Sequence, residues 1–360
     1  MKKSLKCLIA ATASVVSTGA FAASNIENPL YMPESNETYV RVSSAIMGKS
    51  VEGTQATDRK HRGGDVEFPV WRFTGDLGYG ITDRWDIHGH FGYTKDGEID
   101  RKGIHRGRIG TMYRVLTHDD PFVLDLYADA YLSGISPMKG TYTNKGFDFA
   151  NYSNGRWGAI VGTRFGKTWN KFTLGAHVEY LQTFGNHNNK IKIAPDVTPL
   201  GNTYPEGHPL HSVTMYQIGF PDEISVDLKS THEGTAGFDM MYQATDKWSF
   251  GAGFEYIEHY NNGVKSIHTK LNEPDLDAYG LTPEQQKGLQ NAVVKGLLEE
   301  TANMKDGWDE YVFKINAAYQ MTDSMQLASF FEYTFDDAQP MSQNATDFKM
   351  ELGVRLNARF

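Results

Sequence analysis

The final thirteen residues of the chain alternate strictly between apolar side chains and polar side chains or glycine. Successive strand residues point to opposite faces, so this segment is a β-strand with one oily face and one charged face. The strand reaches the last residue of the chain. Its apolar row is Phe348, Met350, Leu352, Val354, Leu356, Ala358 and Phe360.

Eleven other segments carry the same two-residue period, and most approach the roughly 9–11 residues of a tilted membrane strand. An even total brings both chain ends to one side, as in bacterial single-chain barrels. The twelve predicted strands are about 38–47, 67–80, 85–94, 104–116, 121–132, 155–166, 171–183, 233–244, 248–260, 309–320, 325–335 and 347–360.

The connections between these segments alternate between short turns and long loops, the longest being 184–232 and 261–308. A transmembrane antiparallel up-and-down β-barrel has this asymmetry, with short periplasmic turns and long extracellular loops. The segments 211–220 and 224–228 are also strand-like. We expect them to form a hairpin within the outer loop, and the alternative is two more barrel strands, fourteen in all.

The N-terminal residues read as an export signal. Lys2, Lys3 and Lys6 precede an apolar stretch, and residues 20–22 form a small-x-small cleavage site, so we expect 1–22 to be a signal peptide. Residues 23–37 are then a periplasmic lead-in, and 38–360 form the barrel. Cys7 is the single cysteine and lies in the leader, so the mature chain has no disulfide.

The terminal aromatic Phe360 resembles the C-terminal signature of Gram-negative outer-membrane β-barrel proteins. That resemblance implies a location in the outer membrane, contact with membrane lipid and lipopolysaccharide, and recognition by the assembly machinery of that membrane. The turn at residues 82–85, followed by an alternating strand, is similar to outer-membrane transporters associated with aromatic-compound degradation operons.

Strand parity places charged side chains in the interior, since each would cost about 2–4 kcal/mol facing lipid near the bilayer midplane. Strands three to six alternate between acidic and basic, which predicts ion pairs across neighbouring strands. Acidic residues on strands seven to nine also face the basic residues of strands one and two, which predicts a transverse field. The candidate lumen residues are Arg41, Arg72, Asp86, Arg108, Arg114, Asp125, Asp129, Arg164, Glu179, Asp239, Glu255 and Arg355.

The connection 261–308 carries a helix signal. Thr282 and Gln285 flank a proline as N-cap and capping-box partner, and helix-forming residues follow over about 283–303. A helix of this length spans roughly 30 Å. It either covers the barrel mouth as a lid or plug, or packs on neighbouring loop residues as a decoration.

The charge of -9 and the lack of a basic aromatic cluster give no support for nucleic-acid binding. His88, His90 and His177 lack the further ligands of a metal site, and no cofactor is expected. Ser153 and Asn154 resemble part of an outer-membrane phospholipase site, but no histidine lies two residues earlier. We therefore expect a channel, not an enzyme, that passes small polar or ionic solutes by diffusion. The alternatives are an outer-membrane hydrolase with a rim site and a structural or adhesin barrel.

Overall fold

The chain is described by a computed structural model. The structure describes residues 25–50, 66–96, 102–132, 139–144, 146–149, 155–185, 189–201, 203–260, 264–302, 307–336 and 347–360.

Seventeen strands and one α-helix lie within these residues. The helix is α1, Pro283–Ala302. Numbered along the chain, the strands are β1 Thr38–Ser50, β2 Val66–Thr82, β3 Trp85–Asp96, β4 Lys102–Leu116, β5 Val123–Leu132, β6 Lys139–Thr143, β7 Gly146–Phe149, β8 Trp157–Trp169, β9 Phe172–Thr183, β10 Asn189–Ile193, β11 Glu223–Leu228, β12 His232–Gln243, β13 Trp248–Tyr260, β14 Val264–His268, β15 Gly307–Thr322, β16 Met325–Asp336 and β17 Asp347–Arg359.

Twelve of the strands form a closed barrel in the order β1-β17-β16-β15-β13-β12-β9-β8-β5-β4-β3-β2. Every neighbouring pair is antiparallel, and β1 closes the ring on β17 with Tyr39 opposite Arg359. Closure gives the backbone N–H and C=O groups of every strand a hydrogen-bond partner. These partners are necessary in a bilayer, because its core has no water to bind the groups. The predicted twelve-stranded barrel is confirmed, and the alternative of fourteen strands is wrong.

The outer surface of the barrel is apolar. On β17 the side chains of Leu352 and Val354 are 53% and 54% exposed, whereas Glu351 between the apolar positions is buried inside. Ile109 on β4 is 71% exposed and Phe360 is 78% exposed. An apolar exterior with a polar interior is the arrangement of a barrel in lipid.

Aromatic side chains face outward towards both ends of the barrel wall, as expected for rings that prefer the headgroup level. Trp85 and Trp248 lie beside the short turns, and Trp71, Trp157 and Tyr180 lie beside the long loops; all five are exposed. This placement gives the barrel one aromatic girdle at each end of its wall.

Three long connections fold together at the long-loop end into what we call the cap. Its sheet has the order β14-β11-β10-β6-β7, and only the β10–β6 pair is parallel. Because β6 and β10 come from different connections, the sheet ties separate loops into one unit. A buried apolar core lies beneath it, made by Ile191, Ile193, Val197, Leu200, Val213, Met215, Ile218, Phe220, Ile224, Val226, Leu228, Leu276, Val293 and Leu297.

The cap corrects one prediction and shows what helix α1 packs against. Residues 211–220 are turns and the end of a short 3-10 helix, so the expected hairpin does not form, and β11 pairs with β10 and β14 instead. Helix α1 buries Val293 and Leu297 in the cap core, which matches a helix packed on loop residues. Among the helices that the structure describes, none has the length and apolarity needed to cross a bilayer.

Candidate functional site

The barrel interior holds a cavity of about 460 Å³ surrounded by charged side chains. Four predicted lumen residues, Arg72, Arg114, Asp125 and Glu255, do not line it but bind charged neighbours on the inner wall. The eight predicted residues that line the cavity are Arg41, Asp86, Arg108, Asp129, Arg164, Glu179, Asp239 and Arg355.

A ladder of ion pairs runs across β4, β5 and β8. Asp125 lies opposite both Arg114 and Arg164 in the strand register. It accepts hydrogen bonds from Arg114 Nε at 2.8 Å and from Arg164 Nη2 at 2.6 Å. Its side chain is fully buried, so the two guanidinium groups supply the compensation that a buried carboxylate needs. The predicted pairing across neighbouring strands is confirmed here.

A second network links β4 to β9 past the two strands that lie between them in the ring. Arg108 on β4 donates two hydrogen bonds to Glu179 on β9, at 2.7 and 2.9 Å. The geometry is the bidentate one that favours arginine over lysine. Tyr127 adds a bond to the same carboxylate. His88 lies between Asp86 and Asp129, with ring nitrogen to carboxylate oxygen distances of 2.9 and 3.0 Å.

The opposite wall is paired in the same way. Lys314 Nζ lies 2.5 Å from Glu255 Oε1, and Arg72 Nη1 lies 2.5 Å from Glu351 Oε2. Arg41 donates to a backbone carbonyl, that of Ile26. These local partners neutralise most of the charge that the transverse-field hypothesis assigns to the two walls. A simple basic wall facing an acidic wall is therefore absent among the lumen residues that the structure describes.

One group of possible metal ligands comes together in the described part of the lumen. Ligand atoms of His177, Asp239 and Glu255 lie within 4.8 Å of one another. The Glu255 oxygen that faces His177 at 3.4 Å is also the partner of Lys314. The ammonium group already supplies the positive charge at this point, so the group functions as an ion-paired cluster.

The segment that we call the N-terminal strap, residues 25–33, lies inside the short-turn end of the barrel. Leu30 is fully buried there, and Ile26 is 4% exposed. Asn25 donates to Gln243 on β12 and Ser249 on β13, and accepts from Gln326 on β16. The sequence predicts a periplasmic lead-in here, whereas these residues lie within the barrel.

Arginines of the wall hold the strap by its backbone. Arg41 Nη2 donates to the carbonyl of Ile26 at 2.8 Å, and Arg114 Nη2 donates to that of Leu30 at 2.7 Å. Arg164 Nη2 donates to the carbonyl of Tyr31 at 3.0 Å. Because these bonds reach main-chain oxygens, sequence patterns in the strap itself do not reveal them.

Glu27 is the charged anchor of the strap. Arg355 Nη1 lies 3.0 Å from Glu27 Oε2, and the amides of Asn316 and Asn357 donate to the same carboxylate at 3.0 and 2.7 Å. Burial opposes ionisation, but the attraction of Arg355 and Arg41 and the amide bonds together hold the pKa of Glu27 below its usual range. The strap is thus fastened by a buried charge as well as by its backbone.

A glycine in the wall makes room for the strap. A Cβ at Gly175 on β9 would lie 2.8 Å from the Cβ of Pro29 and 3.4 Å from Leu30 Cδ2. The missing side chain allows the strap to pack directly on the strand backbone.

One feature of the sequence could have indicated the strap. Four strands carry an inward-facing amide side chain towards the short-turn end, namely Gln243, Asn316, Gln326 and Asn357.

Two described histidines of the long connection after β10, His208 and His211, form hydrogen bonds within their own loop. His211 Nδ1 bonds the carbonyl of Tyr204 at 2.8 Å, and His208 accepts from the amide of Leu210, so both imidazoles support loop structure. Ser153 and Asn154 lie outside the described residues.

No protein-family model matches the chain, and no curated protein sequence matches it. Solved structures with a similar fold include an outer-membrane channel from Pseudomonas putida F1, at 11% identity over 96% of this chain and 100% of that chain, with a TM-score of 0.46. The NanC porin is 10% identical over 90% and 98% of the two chains, with a TM-score of 0.40. Omp33 from Acinetobacter baumannii is 10% identical over 91% and 99%, with a TM-score of 0.34.

These similarities do not extend to function, and the class of this chain rests on its own barrel. Twelve antiparallel strands close on themselves, lipid-facing positions are apolar, and the charges are turned inward. The chain is a transmembrane β-barrel of the outer-membrane type.

Proposed function

We propose that the barrel is a channel through which small polar or ionic solutes diffuse passively, without a cofactor or energy coupling. The observation that carries this proposal is the charged cavity of about 460 Å³ inside the wall. Barrels of eight strands are filled by side chains, while those of sixteen or more are open. A narrow aqueous passage fits a barrel of twelve strands.

The strap is the element that limits passage. Residues of the strap, among them Glu27, Pro29 and Tyr31, line the cavity together with wall residues such as Arg164 and Arg355. Solutes leaving towards the short turns therefore pass around the strap or displace it. The wall arginines then have two roles, since they shape the passage and fasten its closure.

The remaining expected partners are part of the proposal. Phe360 follows β17 at the short-turn end of the barrel and is 78% exposed, so it is accessible to the outer-membrane assembly machinery. The apolar exterior contacts membrane lipid. Contact with lipopolysaccharide would involve the long-loop end, since in this class of barrel that end faces outward.

Planar-bilayer recording of the purified protein tests the proposal. We expect stepwise conductance, and we expect a variant lacking residues 25–33 to conduct about twofold more or better, because the lumen of a twelve-stranded barrel is narrow. The deletion leaves every barrel strand intact.

A conducting deletion variant beside a quiet full-length protein supports a channel that the strap closes. Electrical silence of both proteins, with correct folding shown by heat-modifiable migration in gels, overturns the channel. If both proteins conduct equally, the protein is a channel, but the strap does not close it.

A further inference from the structure

The cap contains a second cavity, of about 370 Å³, between helix α1 and the connection that follows β10. Met215, Leu200, Val293 and Leu297 form its floor, and each is less than a tenth exposed. These four side chains belong to the cap core, so the cavity is a recess in a folded unit. It is separate from the charged lumen and shares no lining residue with it.

Small residues on α1 leave the recess open. Gly296 lines the cavity, and a Cβ built there would have no heavy atom within 4 Å. Ala292 lies one turn earlier on the same lining. Glycine in the middle of a helix is unfavourable compared with alanine. Here it borders empty space, although larger side chains would fit.

Helix α1, which forms one wall of the recess, is held to the cap by hydrogen bonds beside the recess. Gln290 on α1 is fully buried, and its Nε2 donates to the carbonyls of Ile218 and Asn272 at 2.8 and 2.9 Å. Tyr204 on the opposite wall stacks on His208, with ring centroids 4.4 Å apart. The recess is therefore preformed and does not depend on a ligand to assemble it.

The lining selects a chemical class. Charged side chains are absent from the described lining, and the polar groups include the hydroxyls of Thr203 and Tyr204. Among described residues neither of these two hydroxyls has a hydrogen-bond partner. Small-molecule sites occupy about 300–1,000 Å³, with apolar walls and a few polar groups. A dry cavity of about 150 Å³ suffices to bind benzene.

We propose that the cap recess binds a compact, uncharged, largely apolar molecule that carries at most one hydrogen-bonding group. Apolar contacts with the floor supply the affinity, and the hydroxyls of Thr203 and Tyr204 orient the polar group. This site lies outside the charged lumen, so the proposal does not depend on whether the barrel is a channel.

Single cysteines test the site, because the only native cysteine lies in the predicted leader. Ala292→Cys places a thiol on the recess, and Lys295→Cys places one on the same helix at a position outside the lining. Each full-length variant is treated with neutral N-phenylmaleimide and with a negatively charged thiosulfonate. The ratio of the two rates removes differences in general thiol reactivity.

We expect the ratio of the maleimide rate to the thiosulfonate rate to be about tenfold higher at residue 292 than at residue 295. A modest binding preference of the neutral maleimide for the recess is enough to produce this factor. 2-Naphthol should slow the maleimide at residue 292 only. Adding Gly296→Leu to Ala292→Cys should abolish both effects by filling the recess. Detergent takes up the maleimide equally for every variant, so it does not produce the difference.

Equal ratios at the two positions, or no protection by 2-naphthol, overturn the proposal. An enhancement that survives Gly296→Leu in a protein with unchanged heat-modifiable migration also overturns it, since the reagent would then bind elsewhere. The protection experiment does not involve the leucine variant and remains decisive if that variant does not fold.

Discussion

At the scale of single residues, Glu27 is the most constrained side chain of the strap. It is a carboxylate with 3% side-chain exposure that binds one arginine and two amides on the strands β15 and β17. Removing one partner of a buried pair leaves the other uncompensated. The strap therefore depends on this charge.

We predict that Glu27→Gln loosens the strap. The amide keeps the size of the side chain but loses the attraction of Arg355 and Arg41, at a cost of about 1–3 kcal/mol for hydrogen bonds to a charged group. Single-channel recording should show a larger or more often open conductance. Glu206→Gln removes a charge from an exposed loop position and should change nothing.

Low pH should increase the conductance of the wild type, as the Glu27→Gln substitution does. The pKa of Glu27 is lowered in the folded protein, so its stabilising contribution is complete above the unfolded value of about 4.3. It is lost as the pH falls through the folded value. Conductance that rises on acidification in the wild type but not in Glu27→Gln agrees with this linkage, and identical pH profiles contradict it.

Strand parity separates inward from outward positions, because a strand offers only two faces and lipid excludes charge from one. Eight of the predicted lumen residues line the cavity, and the other four form ion pairs with neighbouring side chains. Their partners were predictable only between neighbouring strands, as for Asp125. The bond from Arg108 to Glu179 joins strands distant in sequence, and the register that permits it is a property of the closed ring.

At the scale of elements, local sequence predicts the start of α1 but not the pairing of the cap strands. Thr282 Oγ1 accepts from the Gln285 amide at 3.3 Å, and Gln285 Oε1 accepts from the Thr282 amide at 2.8 Å. This is the capping box predicted from the sequence, and the helix begins at Pro283 as expected. In contrast, the parallel pairing of β10 with β6 joins two loops, and neither segment indicates it.

We predict that Thr282→Ala destabilises the first turn of α1 by about 1 kcal/mol, because the amide of Gln285 loses its acceptor. Hydrogen exchange should become faster in the first turn and stay unchanged in the barrel strands. Thr282→Ser retains the hydroxyl and should behave like the wild type. Faster exchange throughout the barrel would instead show that the helix supports the wall.

At the scale of the whole molecule, ion selectivity follows from the balance of paired and unpaired charge in the lumen. Arg108, Arg164, Lys314 and Arg355 each have a carboxylate oxygen within 3.0 Å. Among the described residues, Glu332 has no ion-pair partner within 4 Å. Arg41 on the cavity donates to the carbonyl of Ile26 and also has no ion-pair partner within 4 Å among the described residues, so one unpaired cation stands against Glu332.

Asp239 is a second half-buried carboxylate on the cavity and makes the balance negative, since the nearest basic side chain within 4 Å is the imidazole of His177 at 3.8 Å. We therefore predict that the channel, with the strap open, prefers cations to anions. Charged side chains on a pore wall set such a preference, so the double change Asp239→Asn and Glu332→Gln should lower the potassium-to-chloride permeability ratio about twofold or more. Reversal potentials in a potassium chloride gradient measure the ratio.

Glu179→Gln is the comparison variant, because the Glu179 carboxylate neutralises Arg108, which lies 2.7 Å away. Its loss frees a positive charge on the opposite wall and should also move selectivity towards anions. A double variant with an unchanged ratio, beside a Glu179→Gln variant with an altered one, would place the selective charge on the wall of β4 and β9. The transverse arrangement expected from strand parity would then determine selectivity despite its ion pairs.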